Sequence, residues 1–525
     1  MVRLTRVEKT GWKAWVLFVW VGIGVILTAF PARTVAGTGE LAIATPFGPS
    51  VAVPDPARGS NGWYTSEAGV TQTLFVLDLD MGLKPWLAKS VRPIDPLTWE
   101  IELNAPVLFH DRTSMDAAAV KWSIMRLIDD KSAVFNKRVQ QMLDIDTLTV
   151  VDDRTLRFKT HRPNAAFLSA LASPDTAILS PHGDADHIQG TGPFVLQRVV
   201  PKEEMIMSRF SGYWGAPARL ERVHLKIIQN PATRMLAFEA GQVDVAASFP
   251  ESDARRIMAR EHVNIVSHPS NRLCFFFVRV NDGPLADGRI RRAINYAIDR
   301  RQIVETVLAG IGGTPAGSIF PRVLPWSDPD LIPCPHDPAK AAQLLEEAGA
   351  RDTDGDGVVE INGRPLSLNM WTYDSRPSLK PTLELVQAQL AACGIASRLK
   401  ITRRASPINL AMQRGDVHLN LQMWNTAPQG DPDFFITSIF TRGAGSNVMG
   451  YASRELDDLA QKGKTTMDVK ARKAIYDRIQ QIIFDELPVI VLFHKSMVSA
   501  VYDYVENYRI HPAEKYIVTP ELGRR

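Results

Sequence analysis

An α/β fold spread over more than one domain is what this sequence predicts, and three observations carry the prediction. Strand-like and helix-like segments interleave along the chain, the pattern of helices packed on sheets. Roughly 490 residues follow an export-type N-terminus, more than a single hydrophobic core holds. Two intensely apolar strands, Cys274-Phe275-Phe276-Phe277-Val278 within residues 273–280 and Val489-Ile490-Val491-Leu492-Phe493 within residues 488–493, bracket a stretch that is α/β in its own right.

The N-terminus is read first because it sets the compartment. Arg3, Arg6, Lys9 and Lys13 precede residues 14–30, which carry no charge, and Thr34-Val35-Ala36 offers a small residue for cleavage. This is the order of a secretion signal, so residues 1–36 are expected to be removed on export. A retained membrane anchor is the alternative, since an uncharged run of 17 residues reaches the low end of a bilayer span. No cysteine follows the run, which argues against a lipoprotein. Residues 1–36 carry +4 of the whole chain's +3, leaving the rest near −1. The basic balance therefore belongs to the signal and is no footprint for nucleic acid. Cys274, Cys334 and Cys393 are too few and too scattered for a disulfide framework, and they read as small buried hydrophobes.

The elements follow in order. Thr98-Trp99-Glu100-Ile101-Glu102-Leu103 alternates as a half-buried strand does. Asp116 caps a helix with apolar Val120, Ile124 and Leu127 at helical spacing. Asp152-Asp153-Arg154 separates the strands 148–151 and 155–158 as a hairpin turn. Residues 223–228 form a strand, Pro231 opens a helix and Gly241 closes it. Helices are expected over 289–309, 338–348, 381–392 and 469–485, with a strand near 366–370.

The chemistry-bearing patterns are weak. Asp352-Thr353-Asp354-Gly355-Asp356-Gly357 starts like a calcium loop, but the twelfth position, which needs a bidentate Glu, is Gly363. It reads as a tight acidic turn before a strand. His182, Asp184, Asp186 and His187 sit in a loop with nothing to fix them on one point, so they read as solvated. Lys462-Gly463-Lys464-Thr465 lacks the P-loop's first glycine, since Asp458 stands there and its charge repels phosphate. Gly310-Ile311-Gly312-Gly313 follows a helix instead of opening one. No Gly-x-Ser-x-Gly elbow occurs. No catalytic residue, resident metal or cofactor is expected. Aromatic residues on loops are the better signal: Trp63 and Tyr64 in a Gly/Ser/Asn-rich stretch, and Trp424 at a strand-to-loop transition, suit a ligand cleft.

Several phrases recur in a fixed order. They are Gly190-Thr191-Gly192-Pro193-Phe194, Tyr213-Trp214-Gly215, Pro231-Ala232-Thr233-Arg234 running into Phe238-Glu239-Ala240-Gly241, residues 291–299 and Asp337-Pro338-Ala339-Lys340. Weaker ones are Pro85-Trp86-Leu87-Ala88 and Gly450-Tyr451. Together they resemble the peptide/nickel family of ABC-importer solute-binding proteins, family 5. The resemblance implies a two-lobed, periplasmic-binding-protein-like type II fold. Lobe I would take residues 37–272 with a subdomain inserted over about 57–185, lobe II residues 273–492, and residues 493–525 would return to lobe I. It places Asp299 within a helical stretch of lobe II.

The same resemblance implies a periplasmic monomer that binds a short peptide or peptide-like ligand and delivers it to inner-membrane permease subunits. The peptide binders' amine-holding Asp falls at Pro428 here, leaving Asp431 as the nearest carboxylate. The nickel branch's aromatics match Trp424, Tyr64 and Phe135. Its metal-binding His and carboxylate-gripping Arg fall near residues 443–447 and 173–177, which hold neither. Arg376, between a strand and a helix, suits a ligand carboxylate. The expected ligand contacts are Trp63, Tyr64, Phe135, Arg376, Trp424, Asn425, Gln429 and Asp431. A nickel or metal-chelate carrier is the alternative within the family. A secreted hydrolase and a membrane-anchored sensor or chaperone are the alternatives outside it.

Overall fold

The computed structural model describes residues 39–183 and 186–525, so the export-type segment 1–36 lies outside them. Its centre is an eleven-stranded sheet. The strands are β1 (Glu40–Thr45), β2 (Phe194–Val200), β3 (Glu204–Arg209), β4 (Arg222–Ile227), β5 (Val245–Ala247), β6 (Val263–Val278), β7 (Gly313–Pro315), β8 (Ser367–Tyr373), β9 (Ala396–Thr402), β10 (Leu419–Asn425) and β11 (Val489–Tyr502). Across the sheet they run β9-β8-β10-β6-β11-β5-β1-β4-β3-β2, with β7 also on β11.

The two apolar strands of the sequence are the second half of β6 and the first half of β11. Both are longer than their apolar runs, at 16 and 14 residues. The hidden half of β6 mixes exposed and half-buried positions up to Pro269, so no apolar run marks it. Register between β6 and β11 shifts after Pro269 and again after Cys274, as at a bulge. Before the shift β6 lies against the part of β11 that pairs with β5, through Val245↔Val501. After it, β6 pairs on its other edge with β10, through Leu273↔Trp424. The two strands thus run from one half of the sheet into the other.

Each half has a parallel core: β1 with β4 and β5, and β8 with β9 and β10. Register fixes where these strands end. Ala247 pairs with Ser499, which pairs with Val266, while Asn425 pairs with Arg272. Both sets of carboxyl ends therefore approach the middle of β6 from opposite sides.

A separate antiparallel sheet carries Ala88–Asp95, Thr98–Leu103, Thr155–Thr160 and Ile145–Asp152 in that order. It has its own apolar cluster, with Ile101, Phe109, Val120, Ile124, Phe158 and Phe167 all fully buried. The helix beside it, Ala117–Ile128, starts where Asp116 accepts from the Ala119 N–H at 2.8 Å. The hairpin at Asp152-Asp153-Arg154 forms as expected. Asn230, Asp337 and Asp468 cap the helices Pro231–Glu239, Pro338–Glu347 and Val469–Glu486 in the same manner. No helix among the described residues is long and apolar enough to cross a membrane.

Two expectations are corrected: Trp63 and Tyr64, expected on a loop, lie in the helix Asn61–Glu67, and one expected helix is divided. The helix over 289–309 is two helices, Gly288–Ala297 and Arg300–Thr306. Asp299 does not lie inside a helix but caps the second one, accepting from the Gln302 N–H at 2.9 Å. Its carboxylate competes with the backbone ladder, which is why Asp favours caps over interiors.

Gly190 and Gly192 sit where the chain passes directly over the Gly69-Val70 backbone. A Cβ on Gly192 would stand 2.2 Å from the Gly69 carbonyl oxygen. Backbone cannot yield as a side-chain tip can, so Gly192→Ala is expected to cost about 3 kcal/mol, the upper part of the overpacking range. A clear fall in thermal midpoint by circular dichroism checks this; an unchanged midpoint refutes it.

Candidate ligand site

In open α/β sheets ligands bind in the crevice beyond the carboxyl ends of the parallel strands. Here the crevice is lined by Thr45 at the end of β1 and Phe47 just beyond it, Ala247 at the end of β5 and Ser248 just beyond it, and Met497 and Ser499 of β11. Glu67, at the end of helix Asn61–Glu67, and residues 508–511, 514, 515 and 517 complete the wall. The pocket holds roughly 560 Å³ of free space, part of it open to solvent. Arg376, just beyond β8, reaches this wall from the other half of the sheet, its guanidinium 5.2 Å from the centroid of the Phe47 ring.

The charges are unevenly satisfied. Arg272 Nε donates to Glu514 Oε1 at 2.5 Å. Arg376 has no hydrogen-bond or ion-pair partner among the described residues. The positive charge of Arg272, and then burial, pull Arg376 down to about 10, which leaves it charged at neutral pH. Burial works against the Glu514 carboxylate, but Arg272 and then Arg376 outweigh it and hold it below its ordinary value. Both guanidiniums thus act on one carboxylate, which only Arg272 touches. Burial, and then the charge of Glu514, hold Glu67 well above the usual carboxylate range. Burial pulls Lys515 down to about 7 against the opposing pull of Asp175. Its Nζ donates to the Ala172 carbonyl at 3.3 Å and lies 5.1 Å from the Trp63 ring centroid.

The expected contacts are distributed unequally. Arg376 and Trp63 do not line this pocket themselves but each touch a residue that does, Phe47 and Lys515 respectively. Tyr64 lines an adjoining open groove with Phe47; there Val134, and not Phe135, forms the wall. Trp424 turns its edges to Phe277 and Phe435, at 5.9 and 6.3 Å, so much of its ring belongs to the core. Asn425 lies beside Arg272 in the ladder, and its Oδ1 is buried with no partner among the described residues. Gln429 and Asp431 line a different cavity, between helix Lys137–Leu143 and helix Asp433–Ile439. Asp431 is held there by Arg472, which grips both of its oxygens, one at 2.9 Å.

Sequence reading missed Phe47, Glu67, Arg272, Glu514 and Lys515. Only Arg272 left a trace, in the polar run Ser270-Asn271-Arg272 that interrupts a strand.

The acidic turn brings Asp352, Asp354, Asp356 and Glu360 within 4.8 Å of one another. Asp352 accepts from the Gly355 and Gly357 N–H groups and Glu360 from that of Thr353, so the turn holds itself. In the His182 loop, Asp184 lies outside the described residues and the other three side chains are exposed. All three cysteines are unpaired.

Residues 82–447 match the family described as "Bacterial extracellular solute-binding proteins, family 5 Middle". The chain belongs to this family. Among its curated relatives, the glutathione-binding protein GsiB of Salmonella paratyphi A is 29% identical over 447 residues, covering 82% of this chain and 84% of that protein. The family 5 fold is equally plain in solved structures. NikA from Brucella suis, in complex with Fe(III)-EDTA, superposes with a TM-score of 0.83 at 24% identity, over 93% of this chain and 100% of that one. DppA from Helicobacter pylori, in complex with the peptide STSA, gives 0.73 at 22% identity, over 93% and 98%. The fold is thus the two-lobed type II fold of family 5 binding proteins, and the chain is the solute-binding component of an ABC importer.

Proposed function

We propose that this solute-binding protein works in the periplasm, with residues 1–36 removed on export, and carries a short peptide or peptide-like ligand to inner-membrane permease subunits. The ligand sits between lobe I (37–272, with a subdomain over about 57–185, and 493–525 returning to it) and lobe II (273–492). The observation that carries the reading is Arg376, a half-buried guanidinium against the Phe47 ring with no hydrogen-bond or ion-pair partner for its side chain among the described residues. A carboxylate fits its planar fork with two parallel hydrogen bonds. Trp63, Tyr64 and Asn425 supply contacts around it, and Trp424 backs the wall from the core. The protein acts as a monomer and converts nothing; closure requires only that the ligand bind the closed state better than the open one.

Native mass spectrometry of the protein purified from its own periplasm, with and without peptide mixtures and nickel, tests this. Retained masses are expected to fit short peptides or conjugates bearing a carboxylate. Retention of only bare metal or a sugar overturns the peptide class.

A further inference from the structure

We propose, resting on that reading, that Glu67 accepts a cationic group of the ligand, so that the pocket selects molecules carrying a free amine as well as a free carboxylate. The argument is an accounting of the pocket's polar groups. Glu514 is occupied by Arg272. The Tyr508 hydroxyl and Ser499 Oγ bond to each other at 3.0 Å. Lys515 is turned to the Ala172 carbonyl and the face of Trp63. His511 spends both ring nitrogens, on the Leu77 carbonyl and the Ala513 N–H.

Three charged side chains remain without a hydrogen-bond partner among the described residues: Arg509, which is exposed, and the half-buried Arg376 and Glu67, which have opposite signs. Arg376 stands on one side of the crevice and Glu67 on the other. Both are half-buried, so their polar atoms stay open to a ligand entering the crevice. The backbone keeps Glu67 in place, since the Val518 N–H donates to its carbonyl at 2.8 Å. Its carboxyl, pushed up by burial and by Glu514, gains a compensating charge when an ammonium arrives.

The two groups also come from opposite sides of the β6–β11 crossing. A ligand with an anion at one end and a cation at the other touches both only when the crevice is shut. Its affinity for the shut state then exceeds that for the open one, which is the whole requirement for ligand-driven closure. A polyanionic chelate or an N-blocked peptide lacks the second contact.

The test is isothermal titration of the full exported chain with di-, tri- and tetra-alanine, each free, N-acetylated or C-amidated. The best-binding free peptide is expected to bind wild type about tenfold more tightly than its acetylated form, the worth of one charge-assisted hydrogen bond. In Glu67→Gln the free and acetylated forms converge to within about twofold while the amide stays weak; in Arg376→Gln the pattern reverses. Glutamine keeps the shape of Glu67, and that side chain makes no hydrogen bond among the described residues, so the variant is expected to melt no lower than wild type. Glu67→Ala repeats the measurement without the amide. A Glu67→Gln protein that retains the tenfold acetyl penalty overturns the inference and leaves the peptide reading standing. Failure of every free peptide to bind wild type overturns both.

Discussion

Arg376→Gln is expected to abolish most ligand binding while leaving the empty protein as stable as before, or more so. Truncating one partner of a desolvated charge pair costs about 2–5 kcal/mol, since the other charge is left unpaired. That corresponds to a loss of about 30-fold at the low end and over a thousandfold at the high end. The empty protein responds in the opposite sense because Arg376 loses little there beyond its contact with the Phe47 ring. Its side chain makes no hydrogen bond among the described residues, and the charge of Arg272 presses on it. Removing it relieves that repulsion and hands Glu514 wholly to Arg272. Arg376→Lys separates charge from shape: it keeps the cation but not the planar fork, and an intermediate loss is expected. Titration with alanine peptides and a thermal melt of the same samples decide the matter. A dissociation constant within threefold of wild type removes Arg376 from the ligand site.

How much of this was legible in the sequence depends on how far apart the determining residues lie. Caps at Asp116, Asp337 and Asp468 are local, because the carboxylate and the N–H it binds are three residues apart. The apolar halves of β6 and β11 show as runs because they are buried on both faces. Their other halves do not: exposed and half-buried positions mix in β6 up to Pro269, buried polar residues such as Lys495, Ser496 and Ser499 interrupt β11, and the pairing partner lies more than two hundred residues away. The break at Asp299 is hidden because apolar spacing continues across it, through Ile294, Ile298 and Ile303. The site divides in the same way. Arg376 is readable from its position between a strand and a helix. Arg272 and Glu514 are separated by 242 residues, and only the folded chain makes one the partner of the other. Glu67 has no neighbour in sequence that hints at a pocket. Asp431 is the converse case: nothing near it in sequence announces its ion pair, because Arg472 arrives from a helix 41 residues on.

That pair supplies the largest expected effect on stability. Asp431 and Arg472 are both nearly sealed from solvent, and the Arg472 Nε also donates to the Gly463 carbonyl at 2.8 Å. The guanidinium lies 5.1 Å from the Trp326 ring centroid and 5.3 Å from that of Tyr476. It therefore ties the loop before helix Asp433–Ile439, the end of helix Arg454–Thr465 and helix Val469–Glu486 to one point. Asp431→Asn leaves a buried cation uncompensated, and the expected cost is about 3–5 kcal/mol. Arg472→Met leaves a buried carboxylate instead and costs about as much. In Asp431→Leu with Arg472→Met neither charge remains, and an apolar pair of similar volume faces Trp326 and Tyr476. Since desolvation offsets most of the Coulombic gain of a buried pair, the double variant is expected to recover the greater part of either single loss. Urea unfolding of the three variants measures this. A double variant as unstable as the sum of the single ones means that the guanidinium's contacts to Gly463 and the rings, not its charge pairing, hold the three elements together.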